Sequence, residues 1–407
     1  MKRILVLTVS LLVLFSMSVF GATTITIWEK YDGQTQDPFF YQLVEEFNNS
    51  QDKYVVEMLH YGTEELRENF QNSMMAGEGP DAVISPFDHV GTFAVLGLAE
   101  PLDEILPTYI ETMLVDNALP AMSLDGVSYG VPIDMGNHLM LLYNKDYVDK
   151  APETWEELIE FGKEFTKDID GDGLTDQYGL VYNLNEPFWF IPFLSGFGGW
   201  VMDEDRMPTL NTDATVKAFE FVQDLKFEHK VVPEECDYDT ADGIFKEGKA
   251  AFLINGDWSL SGYVDVMGDK VGTAALPKFK DYEWPKPMMS GNGLIMAAGL
   301  SKEEQDGVFA LLKYLLSEEN QIKMVEKLNI LPSTKLARAH DYSNNPIIMG
   351  SIEQLNHTKP MPIVPEMRGI WDGIRPALQD VMTGKMTPEE AAEYAQELSI
   401  ENVEAMH

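Results

Sequence analysis

The chain has 407 residues, 45% of them hydrophobic and 24% charged, an ordinary globular composition long enough for two or three domains. Lys and Arg number 29 against 67 Asp and Glu, and the resulting net charge of −38 repels phosphate backbones and excludes a nucleic-acid partner. The single cysteine, Cys236, excludes an internal disulfide and gives no basis for a cysteine-built zinc site.

Lys2 and Arg3 precede an apolar run over residues 4–20, and Val19-Phe20-Gly21 then leads into Ala22. This pattern predicts a signal peptide over residues 1–21, cleaved on export to a periplasmic or other extracytoplasmic location. No cysteine follows the run, so no lipid anchor is expected. Residues 24–28 alternate, with Ile25 and Ile27 on one face, and predict a strand. Pro38 opens a helical pattern with Phe40, Leu43, Val44 and Phe47 on one side. Residues 54–58 predict a second strand, and Thr63 is expected to N-cap a helix carrying Leu66, Phe70 and Met74. Residues 81–84 predict a third strand, and this alternation calls for a parallel sheet with helices on both faces.

Further on, 127–131 and 138–143 read as strands, and Thr154 caps a helix with Trp155, Leu158, Ile159 and Phe165. A long helix is expected over about 214–229, and buried strands over 250–254 and 271–276. Pro277, Pro285 and Pro287, followed by Ser290-Gly291-Asn292-Gly293, read as punctuation and not as an element. The last third is mostly helical. Ser301 with Glu304 and Thr387 with Glu390 have capping-box spacing, the second with Pro388 at the first helical position. The expected fold class is α/β, in two lobes with a helical C-terminal segment.

The chain carries no paired-histidine zinc motif, no glycine-rich phosphate loop and no serine elbow, and its seven histidines lack ligand spacing. No enzyme is expected. Three clusters instead set aromatic rings beside polar groups: residues 182–190, the run Asn255-Gly256-Asp257-Trp258, and Trp371 with Arg375 one turn on. The second follows a buried strand, where open α/β sheets place ligands. A sugar, with apolar ring faces and a rim of hydroxyls, suits such surfaces. Asp168, Asp170, Asp172, Leu174 and Asp176 occupy positions 1, 3, 5, 7 and 9 of a calcium-loop spacing, with Gly173 at position 6. Position 12 is Gly179 where a glutamate is required, so a structural calcium and a solvated acidic turn both fit.

The stretches Gly79-Pro80-Asp81, Leu142-Tyr143-Asn144-Lys145-Asp146, Thr154-Trp155-Glu156-Glu157-Leu158 and Asn185-Glu186-Pro187-Phe188 carry a resemblance. So do Phe245-Lys246-Glu247-Gly248-Lys249-Ala250, Ile254-Asn255-Gly256-Asp257-Trp258, Leu276-Pro277-Lys278-Phe279, and Met361-Pro362 through Trp371 to Arg375. In this order and spacing the chain resembles the family 1 extracellular solute-binding proteins, among them the maltose/maltodextrin binders. The resemblance implies a two-lobed periplasmic binding protein fold with three chain crossings. The lobes would span 22–135 plus 276–333 and 136–275 plus 334–407. An oligosaccharide would lie in the cleft between them, with hinge closure around it. The monomeric, ligand-closed form would then dock on an ABC-type permease, and no cofactor is required, the structural calcium staying open as above.

Carried over, Glu186, Pro187 and Phe188 look like the family's acid-plus-aromatic sugar contact. Trp258 and Trp371 look like its stacking platforms, Arg375 like the basic group beyond them, and Asp88 and Asp32 like acids that bond hydroxyls. The departures lie in the first lobe. Ser85, with Pro86 and Phe87, stands where a tryptophan is expected, His89 where an arginine is, and Asn137 where an acid is. They leave the sugar open among maltodextrins, trehalose and other gluco-oligosaccharides. Two other readings stay open: a secreted glycoside hydrolase using a pair such as Glu186 and Asp88, and the same fold holding a polyamine or another cationic ligand.

Overall fold

The computed structural model describes residues 21–31 and 36–406. The predicted signal peptide and Asp32 lie outside the described residues. Among those described, no helix is long and apolar enough to cross a membrane.

The first sheet is built around Thr23–Glu29, which buries Ile25 and Ile27 and pairs in parallel with Tyr54–His60 on one side and Ala82–Pro86 on the other. The connecting helices fit their apolar stripes. Gln36–Ser50 buries Phe40, Leu43, Val44 and Phe47, and Thr63–Ala76 buries Leu66 and Phe70. Thr63 is not the cap of the latter. Gly62 takes that extended position, and Glu64 and Glu65 place negative charge in a first turn that has no side-chain cap.

The parallel pattern ends there. Asn292–Met296 inserts antiparallel to Ala82–Pro86 and pairs on its far side with Val131–Pro132. The segment read as punctuation is therefore a central strand and its approach. Its glycines serve close packing: a Cβ on Gly291 would sit 2.3 Å from the Asp134 carbonyl oxygen and 2.7 Å from the Phe87 ring, and one on Gly293 would sit 2.1 Å from Met122 Sδ. The expected 127–131 strand divides into Val127–Ser128, hairpinned to Ser123–Leu124, and Val131–Pro132.

The second sheet runs in the order Val271–Ala274, Leu139–Asn144, Ala250–Gly256, Tyr178–Val181; only its last pairing is parallel. All seven residues of Ala250–Gly256 are buried. Thr154 caps Trp155–Phe165 by accepting from the Glu157 backbone N–H, and both predicted capping boxes form. The C-terminal helices Glu366–Met382 and Pro388–Glu404 pack through Ile370, Ile374, Ala392 and Ala395 into the core beneath this sheet.

Among the described residues two large hydrophobic cores result, one under each of these sheets, with a small third cluster of Val325, Leu331, Tyr342 and Ile348. Leu276, Phe279 and Met288 pack in the second core and Met289 in the first, so the chain passes between them at 288–289 and not at the expected 276. The crossing stretch near 134–136 forms antiparallel bridges to the other two, Asp134 to Pro332 and Gly136 to Ser290.

Candidate functional site

Between the two cores lies a cleft of about 710 Å³. Its wall on the second lobe is aromatic. Glu186 begins the helix Pro187–Gly196, and Phe188 and Trp189 from its first turn face the cleft. Trp258 follows the carboxyl end of the buried strand Ala250–Gly256, and Trp371 projects from Glu366–Met382. The rings brace one another edge-on: Trp189 and Trp258 meet at 6.0 Å and 85°, and Phe188 lies 6.1 Å from Trp258 and 6.4 Å from Trp371. Their polar atoms are anchored, Trp189 Nε1 donating to the Ile254 carbonyl at 2.9 Å and Trp258 Nε1 to the Tyr238 hydroxyl at 3.2 Å. The Arg375 guanidinium is ion-paired with Glu186.

The opposite wall has no aromatic ring among the described residues. Lys30, Thr63, Glu64, Pro86, Asp88 and Asn137 form it, from strand ends, a helix start and a chain crossing. Asn137 adopts the left-handed region, with φ of 45°. Burial lowers the Lys30 ammonium pKa, against the raising effect of Asp134, Glu29, Asp88 and Asp257. Burial acts to raise Glu64, yet Arg368 and Arg67 together hold its carboxyl below the usual range. Two contacts span the walls: Arg368 Nη1 to Glu64 at 3.4 Å, and Gln36 Nε2 donating to the Trp258 carbonyl at 3.0 Å.

Asp88, Asn137, Glu186, Phe188, Trp258, Trp371 and Arg375 thus line one cleft. Three other expected residues do not. Phe87 is 1% exposed in the first core, since the strand pairing with Gly291 turns it inward. Pro187 is buried at the first helical position, where its fixed φ starts the helix. His89 is buried, its Nδ1 2.6 Å from Ser85 Oγ; burial lowers its pKa, and it borders only a narrow side chamber with Arg67 and Arg368. The sequence reading also missed residues. Lys30 stands just past a strand's carboxyl end, and Arg368 is one turn before Trp371, so a positional signal existed for both. Tyr238, Asp239, Asp242 and Lys246 come from a helix that carried no such signal.

In the acidic loop, carboxylate oxygens of Asp168, Asp170 and Asp176 lie within 4.8 Å of one another. Asp172 is outside this group, accepting from the Leu174 N–H at 2.8 Å, and Gly179 sits in the strand Tyr178–Val181 with no side chain to offer.

Comparison with known proteins bears on the same cleft. The bacterial extracellular solute-binding protein family matches residues 42–350. A maltose/maltodextrin-binding domain of Bdellovibrio bacteriovorus, solved with maltotriose, is 39% identical and superimposes with a TM-score of 0.86 over 94% of this chain and 100% of that one. The maltotriose-binding protein of Pyrococcus abyssi is 27% identical across 80% of this chain and 71% of its own length. The galactooligosaccharide-binding protein of Bacillus subtilis is 27% identical across 82% and 79%.

Proposed function

We propose that this chain, which belongs to the bacterial extracellular solute-binding protein family, is an oligosaccharide receptor of an ABC importer. It would hold a gluco-oligosaccharide of the maltodextrin kind between its lobes, unchanged, and present it in the closed form to a membrane permease. The observation that carries this reading is the division of the cleft: four mutually braced rings on one wall and a row of charged and amide groups on the other. Rings take the apolar faces of pyranoses, and polar groups take their hydroxyls. The Bdellovibrio relative, solved with maltotriose, supports the choice of ligand. Export by a cleaved leader and action as a monomer complete the proposal.

Calorimetric titration of the chain from Ala22 onward with maltotriose, trehalose, cellobiose and spermidine tests it. Saturable binding of one glucan series, with the sugar recovered intact, is expected. Reducing ends released on overnight incubation point instead to a hydrolase, and a response to spermidine alone to a cationic ligand. A structural calcium held by Asp168, Asp170 and Asp176 is part of the same proposal. It would tie the loop together and stabilise the folded chain by mass action.

A further inference from the structure

Directly behind the cleft floor, the hinge holds a compact set of buried ionisable groups that ligand contact leaves unused. The bridge between Gly136 and Ser290 places Asp134 opposite Asn292, and side chains opposed across an antiparallel pair share a face. Asp134 accepts from the Asn292 backbone N–H at 2.8 Å and its side-chain amide at 2.9 Å. The next position on that face is Gly136, and the Asp257 carboxylate fills its place: a Cβ there would lie 2.0 Å from Asp257 Oδ2. That oxygen accepts from the Asn137 N–H at 3.2 Å, and His138 Nδ1 faces it at 3.7 Å. Asp134, Asp257 and His138 are each at most 1% exposed, and His138 Nδ1 and Ser290 Oγ have no hydrogen-bond partner among the described residues.

The cluster joins parts that move relative to one another when a two-lobed protein opens. Asp257 ends a strand of the second lobe, Asp134 and Asn137 belong to a crossing, and Lys30 belongs to the first lobe. We propose that this hinge cluster is a proton-binding site whose occupancy favours the closed lobes, so that sugar binding takes up a proton.

Burial pushes Asp257 up to about 7, against backbone hydrogen bonds and Lys30, and pushes Asp134 up to about 6, against its bonds to Asn292 and Lys30. Burial also takes His138 down to about 4, against backbone hydrogen bonds to Ser351 and Gly136, so a neutral imidazole stands 3.7 Å from the Asp257 carboxylate. The other charge facing the cluster is Arg338, which Asp257 acts on, while Glu29 and Asp88 act on Lys30. On this proposal opening would let water reach the cleft floor, lowering the raised values, and would part Lys30 from the second-lobe carboxylate, a smaller effect of opposite sign because Lys30 lowers Asp257. Burial is the largest contribution to the raised values, so the open form holds its protons less tightly. A carboxyl raised in the closed form is protonated there at pH values where the open form is ionised. Closure is therefore favoured as pH falls below about 7 and loses that support as pH rises through it.

Interlobe distances measured by double electron–electron resonance between spin labels on the two lobes, at pH 5.5 and 8, test the switch without needing a ligand. The unliganded parent is expected to shift toward closed distances at pH 5.5. Asp257→Asn, which mimics the protonated acid, should lose most of the pH response, and Asp134→Asn should lose the smaller remaining part. A parent distribution identical at both pH values overturns the proposal, whatever the variants do. The coupling to sugar rests on the function proposed above and is read separately, by titrating maltotriose in two buffers of different ionisation enthalpy at pH 6.5. Proton uptake is expected, with the dissociation constant rising at most tenfold per pH unit over the sensitive range. Absence of binding at both pH values counts against the sugar reading alone.

Discussion

The two walls of the cleft are built differently. The second-lobe wall rests on a fully buried strand and on helices whose rings support each other edge-on, with the two inner indole N–H groups tied to protein acceptors. It is a preformed surface. The first-lobe wall consists of strand ends, a helix start and a crossing residue, and of its charges Glu64 pairs both with Arg67 of its own helix and with Arg368 across the cleft. A preformed apolar face can accept a ligand before closure, whereas a wall of mainly polar groups contributes when the lobes come together. Among the described lining residues the large aromatic rings stand on one lobe, whereas charged groups stand on both, Glu186 and Arg375 beside the rings and Glu64 and Asp88 opposite them.

Five substitutions can break or sharpen that contrast. Phe87→Ala, which empties a core site beside the cleft, should lower stability by about 3–5 kcal/mol while the folded fraction keeps its sugar affinity. Denaturant melts and calorimetry would show both, and a parallel loss of affinity would make Phe87 a contact after all. On the aromatic wall, Trp258→Ala and Trp371→Ala should each weaken sugar binding by about 1–3 kcal/mol. Unchanged dissociation constants for both would mean that these rings only fill space. On the polar wall, Asp88→Asn should cost about 1 kcal/mol of affinity and change the ranking among glucans, whereas the two tryptophan variants weaken all of them alike. A uniform loss with Asp88→Asn would erase the division of labour. The smallest effect is expected far from the cleft: Asp170→Ala should lower the melting temperature only with calcium present, without touching affinity. A parent chain that melts identically in calcium and in chelator removes the metal.

Much of this arrangement is legible in the chain. Local periodicity identifies the first βαβ units, the capping boxes and the helical C-terminus, because each depends on residues a few positions apart. The aromatic wall is legible too, since its rings sit beside strand ends or on a helix face. The failures share one cause. Gly291 and Gly293 read as a turn because a glycine needed for close backbone approach looks, in sequence, like one needed for a bend. Phe87 and Pro187 read as contacts because the resemblance aligns whole stretches and carries no side-chain orientation, and pairing register and helix phase turn both inward.

The sequence by itself determined most of the local elements, the acidic composition and the clusters of aromatic rings beside polar groups, all consequences of side-chain chemistry and short-range spacing. Tertiary structure alone decided that a strand near residue 292 completes the first sheet and that Arg368 reaches Glu64 across the cleft. It also decided that Asp134, Asp257 and His138 share a dry hinge. Those relations join residues that are up to about 300 positions apart, and a burial-shifted carboxyl exists only once the chain has closed around it.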